Sequence, residues 1–580
     1  MKTGAAKSWG RAAICAAIAS ACAPAWLILR YGVDVPYWDQ WETVFFFEKL
    51  ARGSLTAADL FAQQNEYRQF FPNLLFVALG RLTGWNVKYE MLASLLLACL
   101  VAWGVWRLGA RTFDDTLRRG LLFLTASLLI FSPIQFENWL FGVQVVYFVP
   151  VACVVAGLCV AYSEKFETRV ALVACACLSA VSTFSSANGL LCWLVLPPAL
   201  LAARPSARVS ARFWLPLWCA GVVLCVALYL QDYRSPASHP STSEALRHPL
   251  DALAFLVALL GGPFAAGPRS LTVLFAVVVG ACALAAYVFA CAYLFKFRAD
   301  AELVRRSTAW AALGAYSVGT AALVTAGRLG LGIGQSLTSR YTTFTLYLLV
   351  ALVYLLPCIA EDAARRKYLT ARRLALLKRL GAAAAVLVVL AQVVVFDLVV
   401  RHSASDWRRA RLRAKACLLF IEVAPEERCL AEGLSPNVGA LRERAESLDR
   451  MGYLRPPLVR EGRMRALADD ESCADGSFKL LSTEGGAYVL EGVARLPRRR
   501  GEPADAVVLA YGTTGADQTA FALAEVGAIG SRDDARWRKS FSTGALPTGA
   551  SFKLTAWAFD AEEGRAYRLC ETHAADSTRP

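Results

Sequence analysis

Charged side chains are scarce in this sequence. Asp, Glu, Lys and Arg make up 18% of the 580 residues, whereas hydrophobic residues make up 57%. A composition this poor in charge excludes a set of soluble domains and indicates an integral membrane protein. Histidine is also rare, with four residues, and the sequence has no tight cluster of His or Asp that would favour a metal site. No internal repeat stands out, which argues against the duplicated halves of many transporters.

Long hydrophobic runs are what the sequence has instead. Because a helix needs about 20 apolar residues to cross a bilayer, these runs predict about eleven transmembrane helices, at residues 11–30, 87–106, 120–133, 142–162, 169–184, 188–203, 213–230, 271–295, 308–326, 341–360 and 380–400. Two further apolar stretches, 70–82 and 252–264, are too short to cross. Counting either one as a span would reverse the side of every later loop, so both are predicted to be interfacial or re-entrant.

Basic residues fall in alternate loops between these runs. Short loops rich in Lys and Arg stay cytoplasmic, and the most basic loops lie at 107–119, 204–212, 296–306 and 365–379. This pattern predicts a cytoplasmic N-terminus, with residues 31–86, 133–141, 231–270, 327–340 and everything after 400 on the external side. The formal net charge of +15 is then mainly a topology signal, so no nucleic-acid partner is expected. The Ala, Leu, Val and Arg bias indicates a bacterium, so we expect the inner membrane and a periplasmic C-terminal region.

The composition divides the chain into three regions. Residues 1–400 are predicted to form an α-helical multispanning membrane domain with an external loop at 31–86. Residues 401–469 have helical periodicity and form a charged external linker, and residues 470–580 contain short strands that predict a small β-sandwich. The strands are expected at 478–481, 487–493, 506–511, 521–526 and 552–559. Such a domain either binds carbohydrate or is a structural cap, since Trp537, Trp557 and Tyr567 fit a binding face and a core equally well.

Four of the 17 cysteines lie in the predicted external tail. An even number of cysteines in an oxidising compartment indicates disulfides, and three connectivities exist for Cys417, Cys429, Cys473 and Cys570. We favour Cys417 with Cys429 and Cys473 with Cys570, because the second pair would join the two ends of one domain. Unpaired thiols are the alternative.

The predicted external loops carry the residues best suited to chemistry. Tryptophan and tyrosine there are explained by the aromatic belt of membrane proteins. Glu137 in a short loop and Arg340 at a helix mouth are different, because a charge near hydrocarbon is costly unless it is paired or used. We therefore predict an outward-opening pocket, against the alternative of an ordinary solvated face. The candidate residues are Asp34, Asp39, Glu66, Arg68, Glu137, Asn138, Gln144, Asn188, Arg328, Arg340 and Tyr341.

Two segments of the first external loop carry a resemblance to a known family. Tyr37-Trp38-Asp39-Gln40-Trp41 follows the first span, and Asn65-Glu66-Tyr67-Arg68 precedes Phe71-Pro72. With arginines at later helix mouths, this plan resembles the GT-C glycosyltransferases, which include the protein O-mannosyltransferases and the lipid A aminoarabinose transferases. The sequence departs from the family in lacking a His-Pro-Pro stretch and an adjacent acidic pair at Asp39. It is also similar to uncharacterised bacterial multispanning proteins with the elements at 137–139, 187–189 and 339–341.

The resemblance implies transfer of a sugar from a polyprenyl-phosphate donor, with inversion, to a glycan, lipid or protein acceptor. A carboxylate would remove the acceptor's proton, with Asp39 as first choice and Asp34 or Glu66 as substitutes. Arginines would meet the charge of the leaving phosphate, and the candidates are Arg68, Arg328 and Arg340. The sugar would be held by Glu137, Asn138, Gln144, Asn188 and Tyr341. No metal ligands are assigned, and Mg²⁺ or Mn²⁺ between the first-loop carboxylates is left open.

Three other functions are compatible with the sequence. A polysaccharide polymerase or ligase would also use external arginines and histidines, here His239 and His248. A transporter or flippase for a lipid-linked or cell-envelope glycan would place ionisable residues in mid-membrane on broken helices. A non-catalytic anchoring protein would do its binding through the tail.

Overall fold

A computed structural model describes residues 2–236, 240–241, 243–265, 269–469, 473–483, 487–512, 517–527, 535–542 and 553–569. Its α-helices, in chain order, are α1 (Lys2–Ala19), α2 (Cys22–Tyr31), α3 (Val44–Ala51), α4 (Ala57–Phe61), α5 (Phe70–Thr83), α6 (Lys88–Thr112), α7 (Thr116–Ile130), α8 (Phe136–Leu140), α9 (Val145–Ala161), α10 (Thr168–Thr183), α11 (Cys192–Ala203), α12 (Pro205–Val209), α13 (Ala211–Leu230), α14 (Glu244–Arg247), α15 (Pro249–Gly261), α16 (Arg269–Lys296), α17 (Ala301–Arg328), α18 (Ser339–Arg365), α19 (Ala371–Leu398), α20 (Ser405–Leu419), α21 (Glu427–Gly433) and α22 (Val438–Arg450).

Nine helices within the described residues are long and apolar enough to cross a membrane. They match the predicted runs except 169–184 and 188–203, which form the shorter apolar helices Thr168–Thr183 and Ala187–Ala203. Nine of the eleven predicted spans therefore form long apolar helices, and the other two form shorter ones. Ser185 and Ser186 lie at the predicted break between these two, between α10 and the 3-10 turn Ala187–Leu191 that leads into α11. The stretches predicted as too short to cross form α5 and α15, and the chain is a multispanning helical membrane protein.

The chain divides into two compact units. Unit 1 contains residues 1–32, 55–76 and 89–404, and unit 2 contains residues 33–54, 77–88 and 405–580. Sequence reasoning placed the boundary near residue 400 and kept the whole first loop with the membrane domain. The segments 33–54 and 77–88 instead belong to the unit that contains the C-terminal tail.

Unit 1 contains a very close helix crossing between α15 and α16. A Cβ atom added at Gly280 would lie 1.8 Å from the Val257 carbonyl oxygen, and one added at Gly261 would lie 1.9 Å from the Ala276 carbonyl oxygen. Small residues allow two backbones to approach in this way, as is common between membrane helices. Glycine is therefore required at both positions.

The helices α17 and α18 run as a neighbouring pair in unit 1 and position its polar end. Their contact includes the stacked rings of Trp310 and Tyr354, whose centroids are 3.9 Å apart with an interplanar angle of 4°. Ser317 donates a 2.8 Å hydrogen bond to the Phe344 carbonyl. The two helices are joined by the short 3-10 turns Leu329–Leu331 and Ile333–Leu337, so the end of α17 and the start of α18 lie at the same end of the pair.

Unit 2 contains a β-sandwich. Its strands are β1 (Gly476–Thr483), β2 (Ala487–Ala494), β3 (Ala506–Gly512), β4 (Thr519–Ala524), β5 (Arg536–Ser542), β6 (Lys553–Asp560) and β7 (Arg565–Arg568). One antiparallel sheet has the order β1-β2-β5 and the other β4-β3-β6-β7. Side chains from both sheets, including Phe478, Leu490, Val507 and Leu509, form one buried core. The strands β5 and β7 are additional to the five that the sequence predicted.

The aromatic residues of the sandwich belong to its interior. Trp537, Trp557 and Tyr567 are all buried, and Trp537 and Tyr567 are part of the shared core. These rings therefore act as packing residues and do not form an exposed carbohydrate-binding face.

The tail contains a disulfide between Cys417 and Cys429, the pairing that we favoured. Cys473 is exposed with a free thiol, and its expected partner Cys570 lies outside the described residues. The Cys417–Cys429 disulfide joins α20 to α21, two of the helices that the linker region was expected to form.

Candidate functional site

An ion pair joins the loop before α5 to the end of α17 in unit 1. Arg328 donates from Nη2 to Glu66 Oε1 at 2.6 Å and from Nη1 to Glu66 Oε2 at 3.2 Å. The same guanidinium donates from Nε to the Tyr341 hydroxyl at 3.1 Å. The two charged side chains are only 16% and 19% exposed, so the pair is largely shielded from water. A bidentate arginine–carboxylate pair of this kind is strong and directional.

Arg340, at the start of α18, lies beside this pair. Its guanidinium carbon is 5.4 Å from the centre of the Tyr341 ring, and its Nε is buried without a hydrogen-bond partner among the described residues. The Glu137 carboxylate accepts a hydrogen bond from the Arg340 backbone N–H and interacts with the Arg340 charge. Glu66, Glu137, Arg328 and Arg340 thus form two carboxylates and two guanidiniums at one end of the helix pair, with one arginine donor unpaired.

Three tyrosines surround these charges. Tyr341 contacts both arginines, and Tyr67 hydrogen-bonds to Glu66. Tyr147 interacts electrostatically with Arg340 and packs against Phe344 with ring centroids 5.0 Å apart. Burial and the neighbouring Tyr147 and Glu66 raise the pKa of Tyr67 above its ordinary value. The Tyr67 hydroxyl therefore stays protonated and can donate a hydrogen bond to Glu66.

Buried amide and hydroxyl groups hold the short helix α8, which contains Glu137, against α18. Asn138 donates from Nδ2 to the Arg340 carbonyl at 2.9 Å and to the Thr343 hydroxyl at 2.6 Å. Thr343 in turn donates to the Gln135 side chain. Ser339 donates to the Ile134 carbonyl at 2.8 Å. The donors of Asn138, a predicted sugar ligand, are used in positioning Glu137 and Arg340.

Arg68, a predicted phosphate ligand, is used to fix the loop after α13. It donates to the carbonyls of Tyr229 at 2.8 Å and Phe61 at 3.1 Å, and also to the carbonyl of Gln231. Tyr229 in return donates to the Glu66 carbonyl at 2.9 Å. Because every guanidinium nitrogen of Arg68 already meets a backbone carbonyl, its role in the structure is to hold the backbone that carries Glu66.

Two other predicted sugar ligands lie in the interior of unit 1. Asn188 donates from Nδ2 to the Tyr316 hydroxyl at 2.7 Å and is also near Thr320, while its Oδ1 has no partner among the described residues. Gln144 is buried at the end of the 3-10 turn Gly142–Gln144. Neither contact set includes the arginines at the start of α18 and the end of α17.

The predicted bases Asp34 and Asp39 belong to unit 2. Asp34 accepts a 3.0 Å hydrogen bond from the Val87 N–H, and burial raises its pKa although the Lys415 charge opposes this. Asp39 is exposed in the first turn of the 3-10 helix Trp38–Thr43. Glu42, which follows Asp34 in the same loop, forms an ion pair with Arg444, with 2.7 Å between Glu42 Oε2 and Arg444 Nη2. Asp34 and Glu42 therefore have different partners.

Metal-ligating side chains do not group together in the part of the chain that the structure describes, where no three His, Cys, Asp or Glu residues form a set that could hold an ion. A cavity of about 710 Å³ is present, but it is lined by residues such as Arg118, Arg306 and Glu361. Glu361 is near the C-terminal end of α18 and Arg340 near its start. At 1.5 Å per residue these ends are about 30 Å apart, so the cavity is remote from the four charged groups.

Sequence reasoning missed Tyr67, Tyr147, Gln135 and Thr343. Tyr67 lies between Glu66 and Arg68 in the sequence. Because both neighbours are predicted site residues, their presence was a signal that could have identified Tyr67. Gln135 lies two residues before Glu137 and offered a weaker one. Tyr147 and Thr343 lie inside apolar helices, where the sequence gives no sign that their hydroxyls reach the charged groups.

Comparison with known proteins gives little independent information. No protein-family model matches the chain, and no curated protein matches it. Among solved structures, it is similar to the crystal structure of ArnT from Cupriavidus metallidurans bound to undecaprenyl phosphate, with 15% identity over 64% of this chain and 82% of that one, and a TM-score of 0.24. A likeness this weak carries no argument about function, so the functional interpretation depends on the residues described above.

Proposed function

We propose that this protein is a GT-C-type membrane glycosyltransferase that moves a sugar from a polyprenyl-phosphate donor to a glycan, lipid or protein acceptor. The observation that carries the proposal is the group formed by Glu66, Arg328, Arg340 and Glu137, in which the buried Arg340 Nε has no partner within the described residues. Fixed guanidiniums suit the planar recognition of phosphate oxygens.

The proposed reaction is a single displacement at the anomeric carbon. The acceptor hydroxyl oxygen forms a bond to this carbon while the bond from the carbon to the phosphate oxygen breaks. The bonding electrons leave with the polyprenyl phosphate, whose added charge is met by Arg340 and Arg328. The acceptor's proton passes to a carboxylate.

Two carboxylates are candidates for this base. Glu66 is held beside the arginines by Arg328 and by the Tyr229 hydrogen bond to its backbone. Asp39, the first choice from the sequence, is an exposed residue of unit 2, and its role as a base stays a sequence-based prediction. Substitution of each by the matching amide, Glu66→Gln and Asp39→Asn, tests which of them turnover requires.

The test is turnover of a polyprenyl-phosphate sugar by purified protein in detergent, with released polyprenyl phosphate as the readout. Arg340→Gln should lower turnover by about 100-fold, since removing one donor to a developing oxyanion typically costs that much. Arg298→Gln is the matched control, because Arg298 is exposed and its guanidinium donates to the carbonyl of the nearby Phe295. Equal loss in both variants, or wild-type turnover in Arg340→Gln, contradicts the proposal.

A further inference from the structure

Unit 2 contains a buried arginine with no counter-ion among the described residues. Arg411, in α20, is 8% exposed, and its Nε and Nη1 atoms have no hydrogen-bond partner in the part of the chain that the structure describes. The Tyr37 side chain interacts electrostatically with the Arg411 guanidinium and accepts a hydrogen bond from it. A buried charge is costly to leave unpaired, so this guanidinium has unused capacity to bind an anionic oxygen.

Aromatic rings enclose the same guanidinium. Its carbon lies 3.7 Å from the centre of the Tyr37 ring and 5.0 Å from the centre of the Trp407 ring. The two rings meet edge to face, with centroids 5.4 Å apart. Stacking of this kind fixes the plane of the guanidinium, and it leaves the in-plane N–H groups as the part that can bind a ligand.

Trp38, beside Tyr37, offers an exposed ring at the same place. It is 49% exposed, and its ring centroid is 6.0 Å from that of Tyr37. Its backbone has φ of 47°, a left-handed conformation that is strained for a bulky residue. The Trp38 N–H donates to the Leu434 carbonyl at 2.8 Å, so the strained backbone is tied to the segment after α21.

We infer that Arg411, Tyr37, Trp38 and Trp407 form a binding site for a saccharide that carries an anionic group, a carboxylate or a phosphate. The exposed indole face of Trp38 would pack against the apolar face of the sugar ring, because tryptophan combines a large apolar surface with one polar edge. The guanidinium edge of Arg411 would receive the anionic oxygen. The residues of this site belong to unit 2 and those of the charged group to unit 1, and the binding test does not require sugar transfer.

The experiment is binding to the purified full-length protein, measured by calorimetry with trigalacturonic acid and with mannose 6-phosphate. Neutral mannose and inorganic phosphate serve as the matched probes that lack the charge or the sugar. At least one anionic saccharide should bind more tightly than both, by about tenfold, since a charge-assisted hydrogen bond contributes on this scale. Equal binding of inorganic phosphate would reduce the site to a simple anion site and overturn the inference, as would no binding at all.

Variants then locate the site. Arg411→Met and Trp38→Ala should each weaken binding of the anionic saccharide about tenfold, whereas Arg460→Met should leave it unchanged, because Arg460 is an exposed arginine already paired with Asp449 at 2.6 Å. Trp38 is at the surface, so its variant keeps the inference testable even where Arg411→Met fails to fold. Unchanged binding in Trp38→Ala would contradict the assignment.

Discussion

A buried carboxylate in unit 2 should make the stability of this unit depend on pH near neutrality. Asp505, the residue directly before β3, is 8% exposed. It accepts hydrogen bonds from Arg499 at 3.2 Å and from the Ala561 N–H at 2.8 Å. Asp560, which is 1% exposed, shares the same arginine. Burial and the Asp560 carboxylate raise the pKa of Asp505 to about 7, against the opposing charge of Arg499.

The sign and size of the effect follow from this pKa. The ordinary pKa is 3.8, so the folded unit binds a proton that the unfolded chain has already released between about pH 4 and pH 7. The stabilisation is complete below the ordinary pKa and is lost as the pH rises through about 7. Each pH unit corresponds to about 1.4 kcal/mol, which gives about 2 kcal/mol between pH 5.5 and pH 7. For a unit of about 200 residues, this lowers the melting temperature by roughly 4–8 °C.

The assay is differential scanning fluorimetry of the full-length protein in detergent at pH 5.5, 7 and 8. Asp505→Asn cannot ionise and should show a flatter pH dependence than the wild type. Glu491→Gln is the control, because the Lys479 ion pair lowers the pKa of Glu491 and places its titration below this range. The reasoning is refuted where Asp505→Asn keeps the wild-type slope, or where the wild-type melting temperature rises with pH.

Three further predictions concern packing, the disulfide and topology. Gly280→Val should destabilise the α15–α16 crossing by about 3 kcal/mol or more and reduce the yield of folded protein on size-exclusion chromatography, whereas Gly381→Val in α19, where a Cβ has nothing within 4 Å, should not. Cys429→Ser should cost about 3 kcal/mol of unit 2 stability, and peptide mapping of wild type without reductant should recover Cys417 and Cys429 as one linked fragment. Arg52→Cys should react with a membrane-impermeant maleimide in intact cells above the wild-type background, and labelling only after permeabilisation would reverse the orientation inferred from the basic loops.

Much of the fold could be predicted because membrane helices leave a local signal. Runs of apolar residues mark α6, α16 and α18 directly, since each must match the bilayer thickness. The strand β5 was missed because Arg536, Arg538 and Lys539 make its sequence look like a charged surface segment. Its alternate residues include Trp537, which is buried in the sandwich, and one buried position gives too weak a pattern.

The candidate site could be predicted only in part, because its contacts join residues far apart in the chain. The sequence indicated that Glu137 and Arg340 carry unusual charges for their positions, and it offered Glu66 as a substitute base and Arg328 as a phosphate ligand. In the structure the four side chains lie at one end of the α17–α18 pair. It could not distinguish Arg328, which pairs with a side chain, from Arg68, which binds backbone carbonyls. In the sequence, each is an arginine near a helix end. Whether a carboxylate or a backbone carbonyl lies next to its guanidinium depends on the tertiary structure.

The Glu66–Arg328 pair has a consequence for how a charged lipid would enter unit 1. Glu66 occupies the guanidinium fork of Arg328, and under the proposed function this is the fork that a phosphate would use. Arrival of a phosphate would exchange one anion for another and would spare the protein an uncompensated positive charge in an apolar setting. The same exchange would release the Glu66 carboxylate beside the newly bound phosphate. Phosphate binding would then be coupled to the release of a proton acceptor.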